Sequence, residues 1–280
     1  MIRKILQALA SIIILIIGYY QLPGSEYQKD FLVYGLTGLI GIVILIIEVI
    51  VINRKRLGLK IYSRWLGLKG KKIRFSMSYL YRIKIDDKYL LVRNNNFGHY
   101  QLVGGKYKLL EGTRSLVEQK FDALGDLKLP TSGMMKDDFA LFIPAGKAIK
   151  FLDWFNEGKN REVNHWREFY EELIGGKHKL LNKEKFPYVN YNFVGRIRTP
   201  IKRTPGWNCY EILQYDILEL IPTQSQQTEL KELLKKDSKY YKWADEELIQ
   251  CLGQDNREKN KLYDIGIHTK WALNMKWSKE

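Results

Sequence analysis

The chain has 280 residues, of which 45% are hydrophobic and 28% are charged, and its formal net charge is +15. This composition excludes an intrinsically disordered chain, because it supplies enough apolar side chains for one or two domains with a core. Two cysteines, Cys209 and Cys251, exclude a disulfide framework, and their spacing excludes a cysteine-based zinc site. The positive charge favours an anionic partner, namely the inner leaflet of a membrane, a nucleotide or nucleic acid.

Two apolar stretches near the N-terminus predict two transmembrane helices. Residues 5–22 and 31–52 carry one charged side chain between them, Glu48. Each stretch has close to the ~20 residues that a helix needs to cross a bilayer. Gly35, Gly38 and Gly41 recur at every third position, a spacing that would let another helix approach closely.

Basic residues predict the orientation of these helices. Arg3 and Lys4 precede the first stretch and residues 54–60 follow the second, whereas the short connection 23–30 holds one lysine. The positive-inside rule therefore predicts that both termini are cytoplasmic. A cleaved signal peptide is the alternative, but a small-x-small cleavage site is not evident and the second span follows at once.

Three segments are predicted along the chain. Residues 1–52 form the transmembrane hairpin, 53–72 form a basic juxtamembrane linker with aromatic residues that could lie on acidic lipid, and 73–280 form the cytoplasmic domain. Strands and helices alternate irregularly in this last segment, which predicts an α+β fold.

The cytoplasmic domain begins with a predicted strand hairpin over 72–94 that turns at Asp86 and Asp87, followed by a strand ending at Gly104 and Gly105. The later predictions are, in chain order, an irregular segment 111–138, a strand and helical turn 138–158, an amphipathic helix 161–174, a long two-strand unit 188–221, and helices over 228–252 and 265–275.

The sequence REFYEEL, residues 167–173, places three carboxylates on one stripe of the predicted helix. Glu168, Glu171 and Glu172 are three or four residues apart and therefore neighbours on a helical surface. Carboxylate oxygens suit Mg²⁺, so the stripe predicts either a metal site or an ordinary solvated helix face.

The order of these motifs resembles the Nudix fold. The segments YLYRIKIDDKYLLVRNNNFGHYQLVGGKY, REFYEEL and KWADEELI occur in the family's order, and Arg167, Glu168, Glu171 and Glu172 match the Arg-Glu-x-x-Glu-Glu core of its helix. The resemblance implies that the three glutamates hold Mg²⁺ on a nucleoside diphosphate.

Three departures from the Nudix pattern are visible. Val103 stands where the family has proline, Glu111 lies far from the helix in the chain, and Ile174 replaces a glycine that follows one place later. Because hydrolysis needs tightly held ligands, these departures favour a domain that binds its ligand without cleaving it.

The whole chain resembles more specifically the SMODS-associated Nudix domains fused to two transmembrane helices, which are effectors of cyclic-oligonucleotide-based antiphage signalling (CBASS). The resemblance implies a homo-oligomeric protein of the bacterial inner membrane that binds a cyclic di- or trinucleotide made by a partner nucleotidyltransferase, and then disrupts the membrane. It implies no DNA or RNA partner and no required cofactor. The candidate ligand contacts are Arg93, Gly104, Gly105, Lys106, Arg196, Arg198 and Lys202.

Two other functions stay open. A membrane-tethered, Mg²⁺-dependent Nudix pyrophosphohydrolase would use Glu168, Glu171 and Glu172 as metal ligands. A polybasic membrane scaffold would leave both the Gly104-Gly105 turn and the glutamate helix without a purpose.

Overall fold

The computed structural model describes residues 2–94, 96–126, 137–204, 208–255 and 260–277. The chain divides into two compact units, one ending at Lys60 and the other beginning at Ile61. The division falls inside the segment predicted as a linker.

The N-terminal unit is a helical hairpin. Helix α1, Ile2–Ile16, continues as a π-helical turn, Ile17–Gln21, and α2 spans Gln28–Ile52. The predicted close approach of helices is confirmed within this hairpin, because a Cβ on Gly35 would lie 2.5 Å from the Cγ of Leu15 and one on Gly38 would overlap the Ser11 hydroxyl. Glycine at these positions lets the two helices touch backbone to side chain.

One described helix, α2, is long and apolar enough to cross a membrane. The apolar part of the first helix, Leu9–Gln21, is shorter than such a span requires. The structure therefore supports the second of the two predicted spans and does not support the first.

The second unit contains the remaining elements. The helices are α3 Arg54–Leu68, which starts in the first unit, α4 Thr113–Phe121, α5 Ala148–Asn156, α6 Trp166–Phe169 with a π-helical continuation Tyr170–Ile174, α7 Gln224–Leu234, α8 Glu246–Gln250 and α9 Ile267–Leu273. The strands are β1 Lys72–Arg82, β2 Lys84–Ile85, β3 Lys88–Arg93, β4 Tyr100–Lys106, β5 Leu124–Gly125, β6 Ala140–Pro144, β7 Asn190–Arg198, β8 Lys202–Arg203, β9 Tyr210–Ile221, β10 Tyr241–Ala244, β11 Gln254–Asp255 and β12 Asn260–Lys261.

In the described residues, ten of these strands form one mixed sheet around β1. One edge of β1 pairs with β4 and β6, both antiparallel, and its other edge pairs with β9 in parallel. Strand β9 in turn pairs with β7 and β8. The fold is thus a mixed α and β domain with a large mixed sheet, as the sequence predicted.

Several predicted elements are confirmed and three are wrong. The hairpin turns at Asp86 and Asp87, which both have left-handed φ angles of 46° and 62°. The segment 111–138 contains α4 and β5, residues 161–165 precede the helix instead of forming it, and 228–252 contains β10 between two helices. Residues 127–136 lie outside the described part of the chain.

Tertiary contacts explain the late start of the glutamate helix. The Arg161 side chain donates to the Phe155 and Glu162 carbonyl oxygens, at 2.8 and 2.7 Å, and lies over the Phe155 ring. These contacts hold residues 161–165 outside the helix, which begins at Trp166. In this helix and its π-helical continuation, Glu168 and Glu172 lie against β4.

Candidate functional site

The end of β4 meets the glutamate helix at the glycine pair. Gly104 and Gly105 lie opposite Leu80 and Tyr79 of β1. A Cβ on Gly104, whose φ is +140°, would overlap the Tyr79 carbonyl oxygen, and one on Gly105 would overlap the Glu168 carboxylate. The two glycines therefore allow both the adjacent strand and the helix to come close.

Arg167 is bound by three carboxylates and one carbonyl group. Its guanidinium contacts Glu162 at 2.9 Å, Glu168 at 2.6 Å and Glu171 at 3.3 Å, and it donates to the Lys106 carbonyl oxygen at 2.7 Å. Burial alone would lower the pKa of Arg167, but its hydrogen bond to Glu162 and the nearby negative charges raise that pKa above its ordinary value. The positive charge of Arg167 thus offsets the negative charge of the glutamates around it.

The two inner glutamates are poor anions. Burial raises the pKa of Glu168 despite the opposing effect of Arg167. Burial and the charge of Glu168 raise the pKa of Glu172 well above its ordinary value, although Glu172 accepts a hydrogen bond from the Gly104 N–H at 2.8 Å. Both shifts favour the neutral acid over the carboxylate.

This arrangement does not fit the divalent metal that a Nudix box implies. Among the described residues, no three His, Cys, Asp or Glu side chains are placed so that they could hold a metal ion. Glu168 and Glu171 instead share Arg167, and Glu172 bonds to the backbone. Binding of Mg²⁺ would require Arg167 to release carboxylates that it already binds.

Beside the glycines lies a second group, which we call the tyrosine–histidine cluster and define as Tyr107, His165, Tyr191, Arg196 and Asp216. The Tyr107 hydroxyl donates to Asp216 at 2.6 Å and lies 2.8 Å from His165 Nε2. His165 Nδ1 lies 2.9 Å from the Tyr191 hydroxyl. Arg196 donates to Asp216 at 2.9 Å through Nη2.

The protonation of this cluster follows from its contacts. Burial lowers the pKa of His165, which is therefore a neutral imidazole at pH 7. The Tyr107 hydroxyl uses its hydrogen to donate to Asp216, so its oxygen accepts a hydrogen bond from His165 Nε2–H. His165 Nδ1 then accepts a hydrogen bond from the Tyr191 hydroxyl. A chain of hydrogen bonds thus runs from the half-buried Tyr191 to the buried Asp216.

Strand β7 presents two aromatic and two basic residues on one face. Tyr191 and Phe193 pair with Leu220 and Leu218 of β9, whereas Arg196 and Arg198 pair with Asp216 and Gln214. These four β9 residues alternate, so their side chains share a face, and a bulge between Phe193 and Gly195 puts the β7 residues on the same face. Phe193 is 57% exposed.

The predicted ligand contacts are not all brought together. Gly104, Gly105 and Lys106 adjoin the glutamates, and Lys106 pairs with Asp138 at 3.2 Å. Arg93 is exposed and pairs with Tyr100, at the opposite end of β4 from the glycines.

The other predicted contacts lie on or next to β7 and β8, the two strands that pair with the outer edge of β9. Arg196 binds Asp216 and Asn156, and Arg198 lies two residues further along β7. Lys202 lies 3.6 Å from Glu211 and over the Trp271 ring. The assignment of all seven residues to one ligand site thus stays a prediction, and Arg93 and Lys202 lie on different elements from the glycines.

Sequence analysis missed Glu162 and most of the tyrosine–histidine cluster. Glu162 replaces Glu111 as the carboxylate beside Arg167, while Glu111 is exposed in a turn. A signal existed for Asp216, an acidic residue between apolar residues in the middle of the strand YEILQYDILELI, although Glu211 and Glu219 in the same strand carry the same signal. No such signal marks His165.

A cavity of about 510 Å³ lies apart from all the predicted contacts. Its charged lining residues are Lys88, Lys235, Lys236, Lys242, Asp237, Asp245, Glu247 and Asp255. Equal numbers of basic and acidic residues give no preference for an anion, so this cavity does not suit a phosphate-containing ligand.

The family model of the SMODS-associated NUDIX domain matches residues 72–273, which is well over half of the chain. The chain belongs to this family. A search of curated proteins gave no match. In this SMODS-associated NUDIX domain, β1 is the first matched element and α9 the last, so both the glutamate helix and the β7 face lie within the family's common region.

Proposed function

We propose that this protein is a membrane effector of CBASS-type antiphage defence whose NUDIX domain is the receptor for a cyclic di- or trinucleotide. Ligand binding then makes the N-terminal helices disrupt the bacterial inner membrane. Family membership supports a nucleotide ligand, and α2 supports a membrane attachment.

The single observation that carries the proposal is the aromatic and basic face of β7. A nucleobase stacks on an exposed aromatic ring, which contributes ~1–3 kcal/mol per base, and phosphates bind arginine. Phe193 offers such a ring, and Arg196 and Arg198 follow it on the same face, where Arg196 would bind a phosphate in addition to Asp216 and Asn156. In the described residues β7 pairs with β9 alone, so no strand is paired with its other edge.

The proposed ligand also fits the charge state of the glutamates. Carboxylates beside a phosphate would repel it unless a metal intervened. Arg167 and burial together suppress that repulsion at Glu168 and Glu172. A cyclic nucleotide can therefore approach the domain without Mg²⁺.

For the membrane part we propose a two-pass hairpin with both termini cytoplasmic, in which α1 is the shorter span. Two helices cannot enclose a pore, so the active form is a homo-oligomer. Gly35 and Gly38 contact α1, while Gly41 has no described atom within 4 Å of an added Cβ and is available to a second copy. The cyclic nucleotide must bind the assembled state more tightly than the unassembled one, because equal affinity would shift nothing.

A Mg²⁺-dependent pyrophosphohydrolase is the second candidate. The Arg-Glu-x-x-Glu-Glu core and the contact of Gly105 with Glu168 favour it. The engagement of Arg167 with three carboxylates opposes it.

Calorimetric titration of the full-length protein in lipid nanodiscs tests the proposal. The titrants are a panel of cyclic di- and trinucleotides, with and without Mg²⁺, and each mixture is checked for hydrolysed product. Binding of one cyclic nucleotide without cleavage supports the receptor. Cleavage of a nucleoside diphosphate derivative that is lost in Glu171→Gln, together with no binding of any cyclic nucleotide, contradicts it.

A further inference from the structure

The second half of α3 exposes an apolar stripe, although Tyr62 and Lys69 lie against the Trp65 ring. Ile61, Trp65 and Leu68 are 61%, 46% and 90% exposed. Their spacing of four and three residues places them on one side of the helix. A leucine that is almost fully exposed is costly in water, so this stripe calls for an apolar surrounding.

The opposite side of this helix is fixed to the NUDIX domain. Ser63 and Leu66 are buried, and a Cβ on Gly67 would lie 2.8 Å from the Gly146 nitrogen. This close approach holds the last turn of α3 against the short 3₁₀ turn Ala145–Lys147. The apolar stripe therefore lies on a helix whose opposite side is packed against the domain.

A basic cavity of about 600 Å³ adjoins the stripe. Among the described residues that line it, four are basic, namely Arg64, Lys71, Lys72 and Lys147, and none is acidic. Lys147 pairs with Asp122 at 2.6 Å, whereas Arg64, Lys71 and Lys72 are exposed and form no ion pair within the described part of the chain. The cavity is therefore suited to an anion.

We infer that this surface binds anionic phospholipid, with the headgroup phosphate held by Arg64, Lys71 and Lys72 and the apolar stripe inserted at the boundary of the acyl chains. An apolar stripe flanked by cations is the pattern of helices that lie in the interface of an acidic membrane. In the chain, α3 follows the apolar helix α2 directly, since α2 ends at Ile52 and α3 begins at Arg54.

A lipid explains both halves of the surface, whereas a soluble phosphate would satisfy the cations and leave Leu68 in water. A second copy of the chain would cover the apolar stripe but would bring its own like charges against Arg64, Lys71 and Lys72. Charge complementarity therefore favours the lipid.

The experiment places a fluorescent label at Leu68→Cys in the full-length protein, with Cys209→Ser and Cys251→Ser, at one chain per nanodisc. The discs contain either neutral phosphatidylcholine or a mixture with phosphatidylglycerol, and a spin-labelled lipid serves as quencher. A label at Phe97→Cys is the positional control, because Phe97 is 59% exposed on a different turn. Hydrogen exchange of residues 61–72 in the unsubstituted protein repeats the comparison without any cysteine change.

We expect the lipid quencher to act on the label at position 68 at least about threefold more strongly in anionic discs than in neutral ones, and equally in both at position 97. The triple variant Arg64→Gln, Lys71→Gln, Lys72→Gln should remove the difference. The charge-matched variant Lys177→Gln, Lys179→Gln, Lys231→Gln should keep it. Equal quenching in both disc types would overturn the lipid site. So would hydrogen-exchange protection of residues 61–72 that is absent at one chain per disc and appears only in discs prepared with two chains.

Discussion

The Glu172 carboxyl group accepts a hydrogen bond from the Gly104 N–H at 2.8 Å, which joins the two segments that a Nudix box normally keeps next to each other. Sixty-seven residues separate these partners in the chain, yet they meet because β4 ends where the π-helical turn of the glutamate helix begins. In this protein the bond fastens a helix to a strand. The glutamates therefore contribute to the fold irrespective of whether they bind a ligand.

Gly104→Ala tests the close approach of β4 to its neighbours. The added Cβ would overlap the Tyr79 carbonyl oxygen at a φ of +140°, so we expect a loss of about 3 kcal/mol or more in the free energy of unfolding. Gly98→Ala is the control, because Gly98 also has a positive φ but meets nothing within 4 Å, and it should lose only ~1–2 kcal/mol. Denaturant titration in detergent measures both. Equal losses would show that the steric contact is unimportant.

Glu172→Gln should make stability less dependent on pH. Burial raises the pKa of Glu172 in the folded state, so folding takes up a proton, and the free energy of unfolding falls as the pH rises from its ordinary pKa of 4.5 through the raised value. The glutamine is already neutral and can still accept from Gly104. We therefore expect Glu172→Gln to be more stable than the unsubstituted protein at pH 7, by ~1 kcal/mol or more, and equally stable near pH 4.

Glu171→Gln provides the comparison for this pH effect, since Glu171 is about half exposed and loses the same charge. Denaturant titration at a series of pH values measures the free energy of unfolding of the unsubstituted protein and of both variants. A gain at pH 7 in Glu171→Gln equal to that in Glu172→Gln would mean that general charge, and not burial, is responsible.

Phe193→Ala should weaken binding of the cyclic nucleotide without weakening the fold. Loss of one stacked base corresponds to ~1–3 kcal/mol, or about 5- to 150-fold in Kd. The ring is 57% exposed, so its removal should change the free energy of unfolding by less than ~1 kcal/mol. Phe97→Ala removes an equally exposed ring elsewhere and should leave Kd unchanged. Identical Kd values for both variants would show that Phe193 of β7 does not contact the ligand.

Mg²⁺ should leave the melting temperature unchanged. A site filled to one hundred times its Kd would stabilise the protein by ~2.7 kcal/mol, but here Arg167 already binds the carboxylates. Thermal unfolding with added Mg²⁺ or with a chelator makes the comparison. A rise of several degrees with Mg²⁺ that disappears in Glu171→Gln would show that the glutamates do hold a metal.

The sequence predicted the sheet-forming segments well, because alternation of apolar and polar residues directly reports a strand with one covered face. Asp86-Asp87 and the glycine pair were identified from residue type, since aspartate and glycine accept the positive φ angles found at Asp86, Asp87 and Gly104. The start of the glutamate helix could not be predicted, because Arg161 is held outside the helix by side-chain contacts with Phe155, six residues earlier in the chain.

The β7 face shows a different limit. Simple alternation puts Tyr191 and Phe193 on one side of a strand and Arg196 and Arg198 on the other. The bulge before Gly195 shifts the register by one residue and unites all four on one face. Gly195 inside the strand pattern is a local signal for a bulge, but the candidate arginines were chosen without using it and therefore without the aromatic residues beside them.

Dye release from vesicles tests whether a cyclic nucleotide makes this protein disrupt a membrane. The full-length protein is reconstituted into vesicles that contain anionic lipid and a trapped dye, with the NUDIX domain outside, and each cyclic di- or trinucleotide is added in turn. We expect release with one cyclic nucleotide, no release with its linear form, and a requirement for at least about fivefold more ligand in Phe193→Ala. A cyclic nucleotide that binds tightly without releasing dye at any protein density, or release that is independent of the nucleotide, would contradict the account.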